Sequence, residues 1–317
     1  MIEELRIKNF RGFSSLELKD LKRVNLVVGE NNAGKTSLLE AFFILSDPNR
    51  IGELPGIFRV VQGNSDLRFF RWLIKDKCVE KSGSLYAKDK IDEWQYDLTP
   101  PNAKGLDSKI VQNLLAIYKV STLQLLGLRG NYRNCRVISI NHRDPNNLVN
   151  LVGRVFRKSD GEDTLQRLLA KIDPRIKKVR IDPGDDGNQV IVDIGLSELV
   201  PVSQVGQGVY RLLSILAVII GEQPEIVLID EVENGLHHSV QKQIWTGLAE
   251  VAEKLDVQII ATTHSDECLH AAHNAFLDRE TYDFSVIQLF RVPSGVQGRV
   301  LDREHIAASV AGHIDLR

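Results

Sequence analysis

None of the three cysteines, Cys78, Cys135 and Cys268, stands in CxxC or CxxH spacing with another. That argues against a zinc site and fits a reduced setting. Long apolar runs are also missing. The most apolar stretch, residues 212–220, is far short of the roughly 20 residues that a membrane-spanning helix needs. The opening MIEELRIKNF places acids among its apolar residues, so it does not read as a signal peptide. Charge of one sign is lacking too: 40 Lys and Arg against 42 Asp and Glu leave a formal charge of −2, with no global basic field for nucleic acid. What remains is 317 residues, 43% hydrophobic and 26% charged, enough for one large domain or two ordinary ones. A soluble, cytoplasmic protein is expected.

Apolar residues alternate over 2–8 and 13–19 around an Arg-Gly break, which predicts a hairpin-like entry. Residues 24–28 (VNLVV) form a continuous apolar run, as in a strand buried on both faces, and 35–45 then take helical spacing. From 46 to 132 Gly, Pro and charges interrupt short helical stretches such as 110–126, which reads as a helical insertion or lid. A strand at 136–140, a helix at 164–172 and a hairpin of 176–181 with 189–194 around PGDDG follow. Residues 209–220 predict a buried helix, 226–229 a central strand, 239–255 a helix, and 257–261 and 285–292 further strands. Strands alternating with helices imply a largely parallel α/β sheet with antiparallel strands at the N-terminal end. The expected divisions are 1–45, an insertion at 46–132, and 133–317.

Gly29-Glu-Asn31-Asn32-Ala33-Gly34-Lys35-Thr36 fits GxxxxGK[ST], the Walker A pattern, with Ser37 next. Its glycines let backbone N–H groups surround a phosphate, and the following helix offers its positive N-terminus. Lys35 is placed to bridge the β- and γ-phosphates of ATP, and the Thr36 hydroxyl to ligate Mg²⁺. The run Ile-Val-Leu-Ile before Asp230-Glu231 supplies a Walker B element. There Asp230 would hold the metal through water, and Glu231 would orient the attacking water and take its proton. An acidic loop at a strand end is the bland alternative, so this element counts jointly with Walker A. His264, in Thr262-Thr-His-Ser265 after the next strand, can sense a γ-phosphate or be an ordinary hydrogen-bonded histidine. His237 reads equally as a dimer-facing loop residue or as packing.

Asn-Phe-Arg-Gly-Phe at 9–13, the Walker A loop, Ile-Asp-Glu-Val-Glu-Asn-Gly-Leu-His at 229–237 and Thr-Thr-His-Ser at 262–265 resemble the AAA-like ATPases of the RecF/SMC/OLD division of ABC ATPases. The likeness covers nearly the whole chain. It extends to Val-Gly206-Gln-Gly208-Val-Tyr-Arg211-Leu-Leu, similar to the family's degenerate signature, although Val205-Gly206 stands where many relatives place a serine. The resemblance implies a P-loop NTPase fold of ABC type and an ATP-driven homodimer. In such a dimer Gly206 and Gly208 of one copy cover the nucleotide on the other. Gln62 is the candidate for the family's Q-loop glutamine.

Relatives often carry a C-terminal TOPRIM nuclease. Asp302, Glu304 and Asp315 lack the buried strand such a site needs, so no nuclease is expected here. Three function classes stay open. The first is an ATPase that licenses a separately encoded nuclease or effector, in phage defence or DNA repair. The second is a DNA-structure-binding ATPase using Arg68, Arg71, Lys75 and Lys77 among Phe69, Phe70 and Trp72, or Arg129, Arg133 and Arg136, although solvated faces of a lid explain such residues as well. The third is the ATPase half of a transporter, for which no membrane coupling is legible.

Overall fold

Alternation at the N-terminus becomes a hairpin in the computed structural model, which describes residues 1–58, 83–98, 132–139, 145–184 and 187–312. Strands β1 (Glu4–Phe10) and β2 (Phe13–Leu18) pair antiparallel, with Leu5 opposite Leu18 and Phe10 opposite Phe13. Next come β3 (Val24–Val28), helix α1 (Lys35–Ser46), a 3₁₀ stretch Pro48–Glu53 and the short α2 (Leu54–Phe58). They are followed by β4 (Gly83–Lys88), β5 (Glu93–Leu98), β6 (Cys135–Ile138), α3 (Pro145–Phe156) and α4 (Gly161–Ile172). A hairpin β7 (Lys178–Asp182) with β8 (Gln189–Asp193) continues into β9 (Val200–Pro201), α5 (Val202–Val205) and α6 (Gln207–Glu222). The chain then forms β10 (Ile226–Ile229), α7 (His238–Lys254), β11 (Gln258–Thr262), α8 (Asp266–Leu277), β12 (Phe284–Val292), β13 (Gly295–Leu301) and α9 (Arg303–Ala311).

The central sheet has the order β13-β12-β3-β11-β10-β6, parallel throughout except for β13 at the edge. The central strands β3, β11 and β10 are buried at every position, as strands covered on both faces must be. Period-2 alternation divides their side chains between two cores. Val24, Leu26, Val28, Val227, Ile229, Ile259 and Ala261 face the core that α3, α4, α6, α7 and α8 complete. Val27, Ile226, Leu228 and Ile260 face the second core, filled by α1 and by the antiparallel sheet β2-β1-β4-β5. Asn25 is buried within β3, and its amide is satisfied by Lys22 and by the hydroxyl of Ser285.

The hairpin β4–β5 lies in the segment for which the sequence predicts a helical insertion. The sequence there in fact alternates, GSLYAK and EWQYDL, burying every second side chain. Its turn is closed by Asp89, whose carboxylate accepts the N–H groups of Ile91 (2.7 Å) and Asp92 (2.8 Å). β4 pairs with β1, so this hairpin widens the N-terminal sheet. Residues 110–126, Gln62, the basic-aromatic stretch 68–77, Arg129 and Cys78 lie outside the described residues. Arg133 and Arg136, candidates above for a nucleic-acid face, both form ion pairs within the chain. Arg133 pairs with Asp89 and covers the Trp94 ring at 5.1 Å, while Arg136 pairs with Glu222. Those guanidiniums hold strands and helices together.

The Arg-Gly break does structural work as well. Arg11 sits in the left-handed region (φ 53°), which turns its side chain back under the sheet onto Glu40 of α1. The pair is bidentate, at 2.7 and 3.0 Å, with side chains only 6% and 1% exposed. A buried pair of this kind adds little over an apolar replacement, yet removing one member costs about 3–5 kcal/mol, because the other charge stays buried. Arg11→Ala is therefore expected to lower unfolding stability by about that amount in urea melts, with Arg11→Lys recovering only part of it.

Candidate active site

Three loops converge because β11 lies between β3 and β10 and all three run parallel. Each strand therefore delivers its C-terminal loop to the same end of the sheet, where ligands bind in open α/β folds. β3 delivers residues 29–37, β10 delivers Asp230 and Glu231, and β11 delivers His264.

The first loop turns on two glycines. Gly29 has φ 148°, and a Cβ there would collide with the carbonyl oxygen of Leu289 on β12. Gly34, at φ 95°, caps α1, and a Cβ would come within 3.1 Å of the Phe13 ring. Only glycine meets both demands. Asn31 and Asn32 are exposed at the tip, while Ala33 is buried beneath it. Arg291 on β12 donates to the carbonyl of Asn32 at 2.6 Å, bracing that left-handed residue. Asn31, Asn32, Gly34, Lys35, Thr36 and Ser37 line a cleft of about 440 Å³ together with His264. That volume is within the range of small-ligand sites.

Lys35 is 6% exposed, and its ammonium donates to the carbonyls of Gly29 (2.5 Å) and Glu30 (3.1 Å). Burial pushes its pKa down, opposed by the nearby charges of Glu233, Glu231 and Asp230. The cleft thus holds a desolvated cation beside three carboxylates.

Asp230 and Glu231 leave the sheet under tight control. The Asp230 N–H donates to Ile138 on β6 (3.0 Å), and its carboxylate accepts the Thr262 hydroxyl at 2.8 Å. Glu231 is left-handed (φ 47°), an uncommon conformation for a residue with a side chain. His264 Nε2 lies 3.8 Å from a Glu231 carboxylate oxygen, with both side chains more than a third exposed. The His264 backbone N–H donates to Glu233 at 2.7 Å. Oxygen donors such as the Thr36 hydroxyl and Asp230 carboxylate suit Mg²⁺. Among the described residues no cluster of three or more His, Cys, Asp or Glu forms a further metal site.

Gly206 and Gly208 are placed apart from this cleft by different constraints. Gly208, in the first turn of α6, packs within its own chain: a Cβ would lie 2.5 Å from the carbonyl oxygen of Gly235. Gly206 has open space around it but φ 139°. Arg211 of α6 donates to the carbonyls of Asp230 (2.7 Å) and Ser139 (3.0 Å), tying the signature helix to the ends of β10 and β6. His237 caps α7 through its ring nitrogen and packs against His238. Arg211, Thr262, Glu233 and Arg291 are site residues to which sequence reading assigned no role. Arg211, Thr262 and Glu233 stand inside motifs legible in the sequence, whereas Arg291 has no local signal. Burial pushes the thiols of Cys135 and Cys268 up to about 12.

The AAA ATPase domain family matches residues 1–178, more than half of the chain. The protein belongs to that family. An AAA domain family named for the AbiEii toxin of type IV toxin–antitoxin systems matches residues 122–269. Over 347 aligned residues this ATPase is 22% identical to an ATP/GTP phosphatase of Helicobacter pylori, covering 88% of this chain and 90% of that protein. It is 44% identical over 89 residues to the DNA replication and repair protein RecF of Bacillus thuringiensis, spanning only 21% of RecF. The solved SMC head bound to the C-winged helix domain of ScpA shares its fold, with a TM-score of 0.59 at 13% identity over 96% of this chain and 98% of that one. The SMC head of Thermotoga maritima gives 0.51 at 14% identity, covering 95% and 99%. The fold is thus that of ABC-type P-loop ATPases. Among the described residues no helix is long and apolar enough to cross a membrane.

Lys35→Ala removes the buried cation from this cleft. Losing charge-assisted contacts costs about 1.5–3 kcal/mol, so titration calorimetry should show ATP bound about ten- to a hundred-fold more weakly.

Proposed function

We propose that the ATPase hydrolyses Mg-ATP at this cleft, cradling the phosphates with the backbone of residues 29–37. The cleft lined by residues 31–37 and His264, with a Glu231 carboxylate oxygen 3.8 Å from His264, carries the reading. Lys35 moves from the loop carbonyls to the β- and γ-phosphates. Thr36 and Asp230 would hold Mg²⁺, which when bound would neutralise phosphate charge. Glu231 accepts the proton of the attacking water, and His264 sits beside it to sense the γ-phosphate. Glu231→Gln keeps the shape of the side chain but cannot take the proton, so turnover should fall 10²–10⁴-fold while Mg-ATP binding persists. Phosphate-release assays beside calorimetry check this, and undiminished turnover would place the base elsewhere.

The working form in this reading is a homodimer closed over ATP, with Gly206 and the start of α6 from one copy facing the phosphates on the other. Exposure of Gly206 and Gln207 at a helix N-terminus supports that contact, because such a terminus attracts anions. Gly208 is unsuitable as a probe, since its side-chain position is filled by Gly235 of the same chain. Gln207→Glu is better: an acid in the first helical turn suits the monomer but opposes a phosphate brought to it. The variant is expected to bind ATP normally and to remain monomeric in light scattering with non-hydrolysable ATP, whereas wild type dimerises.

The dimer's role in this reading is to license a separately encoded nuclease or effector in a defence setting. The match to an AAA family named for a toxin–antitoxin component supports it. The RecF-like segment favours one alternative, a DNA-structure-binding ATPase acting in repair. ATP-dependent DNA binding that falls steeply with salt would select it.

A further inference from the structure

The loops after β10 and β11 are cross-linked by more than sheet pairing. The Thr262 side chain is fully engaged: its hydroxyl donates to Asp230 Oδ1 at 2.8 Å and accepts the Glu231 N–H, also at 2.8 Å. Its carbonyl accepts the Val232 N–H at 3.0 Å. In the other direction, Glu233 accepts the N–H of His264 at 2.7 Å. Thr262 is 1% exposed, so water cannot replace its hydroxyl at either partner.

Two features show what this arrangement resists. Glu231 is held at φ 47°, a conformation that persists only where neighbours over-determine it. Its N–H would have no acceptor here without the Thr262 oxygen. Asp230, in turn, has one oxygen committed to Thr262, which sets the plane of its carboxylate. A single hydroxyl thus fixes the backbone of one acid and the side chain of the other. Being the last residue of β11, it also stands two positions before His264.

We propose that Thr262 is a positioning residue for hydrolysis, holding the Asp230 carboxylate and the strained Glu231 backbone in register with His264. The inference rests on the assignment of Asp230 and Glu231 made above. It adds that the acids and the histidine respond as one body. Displacement of the β11 loop at His264 moves both acids through Thr262 and Glu233.

The test compares Thr262→Ser, which keeps the hydrogen bonds but loses the methyl, Thr262→Cys, which weakens them with the same loss of methyl, and Thr262→Val, which removes them at nearly constant shape. ATP affinity in EDTA should stay within about threefold of wild type, because residues 29–37 are untouched. Turnover should fall in the order Ser, Cys, Val, reaching about ten- to a hundred-fold for Val, the loss expected for hydrogen bonds to a charged group. The Mg²⁺ concentration for half-maximal ATP binding, followed by calorimetry, should rise in the same order, since Asp230 loses its orientation. Wild-type turnover and Mg²⁺ dependence in the Val and Cys variants would overturn the proposal. So would equal losses in all three with a lowered melting temperature, which would mark a packing role. If Val does not fold, the Ser and Cys ranking decides. Glu231→Gln serves as the separate control. Undiminished turnover there rejects the active-site assignment itself, whereas a dead Glu231→Gln beside fully active Thr262 variants rejects only the positioning role.

Discussion

Everything in the site depends on the placement of β11 between β3 and β10 in a parallel sheet buried on both faces. Parallel strands need crossovers, so the loops that carry chemistry come from segments far apart in sequence yet leave the sheet at the same end. Register is set by burial. A slip of one residue would swap the set facing the helices for the set facing α1 and the antiparallel sheet, and both sets are apolar but differently shaped. Once the register holds, Gly29, Asp230 and Thr262 are fixed relative to one another without any contact to a ligand.

Upon this frame the site concentrates features that a merely stable protein would avoid. Gly29 and Gly34 adopt conformations open to glycine, Glu231 adopts one uncommon for its type, and Lys35 is buried at the cost of solvation. The two glycines and Glu231 are met from outside their own segments: Leu289 of β12 and Phe13 of β2 crowd the glycines, and Thr262 of β11 anchors Glu231. Such strain means that the loops are organised in advance of any ligand. Three carboxylates around Lys35 keep the cation favourable in the cleft, and a polyanion would take over that role.

The signature segment is bound to the same frame. Gly208 abuts Gly235, and Arg211 grips the carbonyls at the ends of β10 and β6. A half-buried guanidinium thus links α6 to the backbone of Asp230.

Sequence by itself determined the local chemistry. GxxxxGK[ST] demands a particular backbone path, and an apolar run ending in Asp-Glu demands a buried strand with acids at its tip. Alternating residues at the start demand a hairpin, which Leu5 opposite Leu18 makes. These signals are readable because period and turn chemistry act over a few residues. The hairpin Gly83–Leu98 alternates just as clearly, but Gly, Pro and charges around it obscured the pattern. Only the tertiary structure decided that β11 lies between β3 and β10 and that Arg133 and Arg136 pair with Asp89 and Glu222. It alone showed that Gly208 must be glycine because of Gly235, and that Thr262 ties both acids. Each of these depends on groups distant along the chain, from the 27-position separation of Gly208 and Gly235 to the 259-position separation of Asn32 and Arg291. No local pattern encodes such pairings, because strand order and helix packing create them.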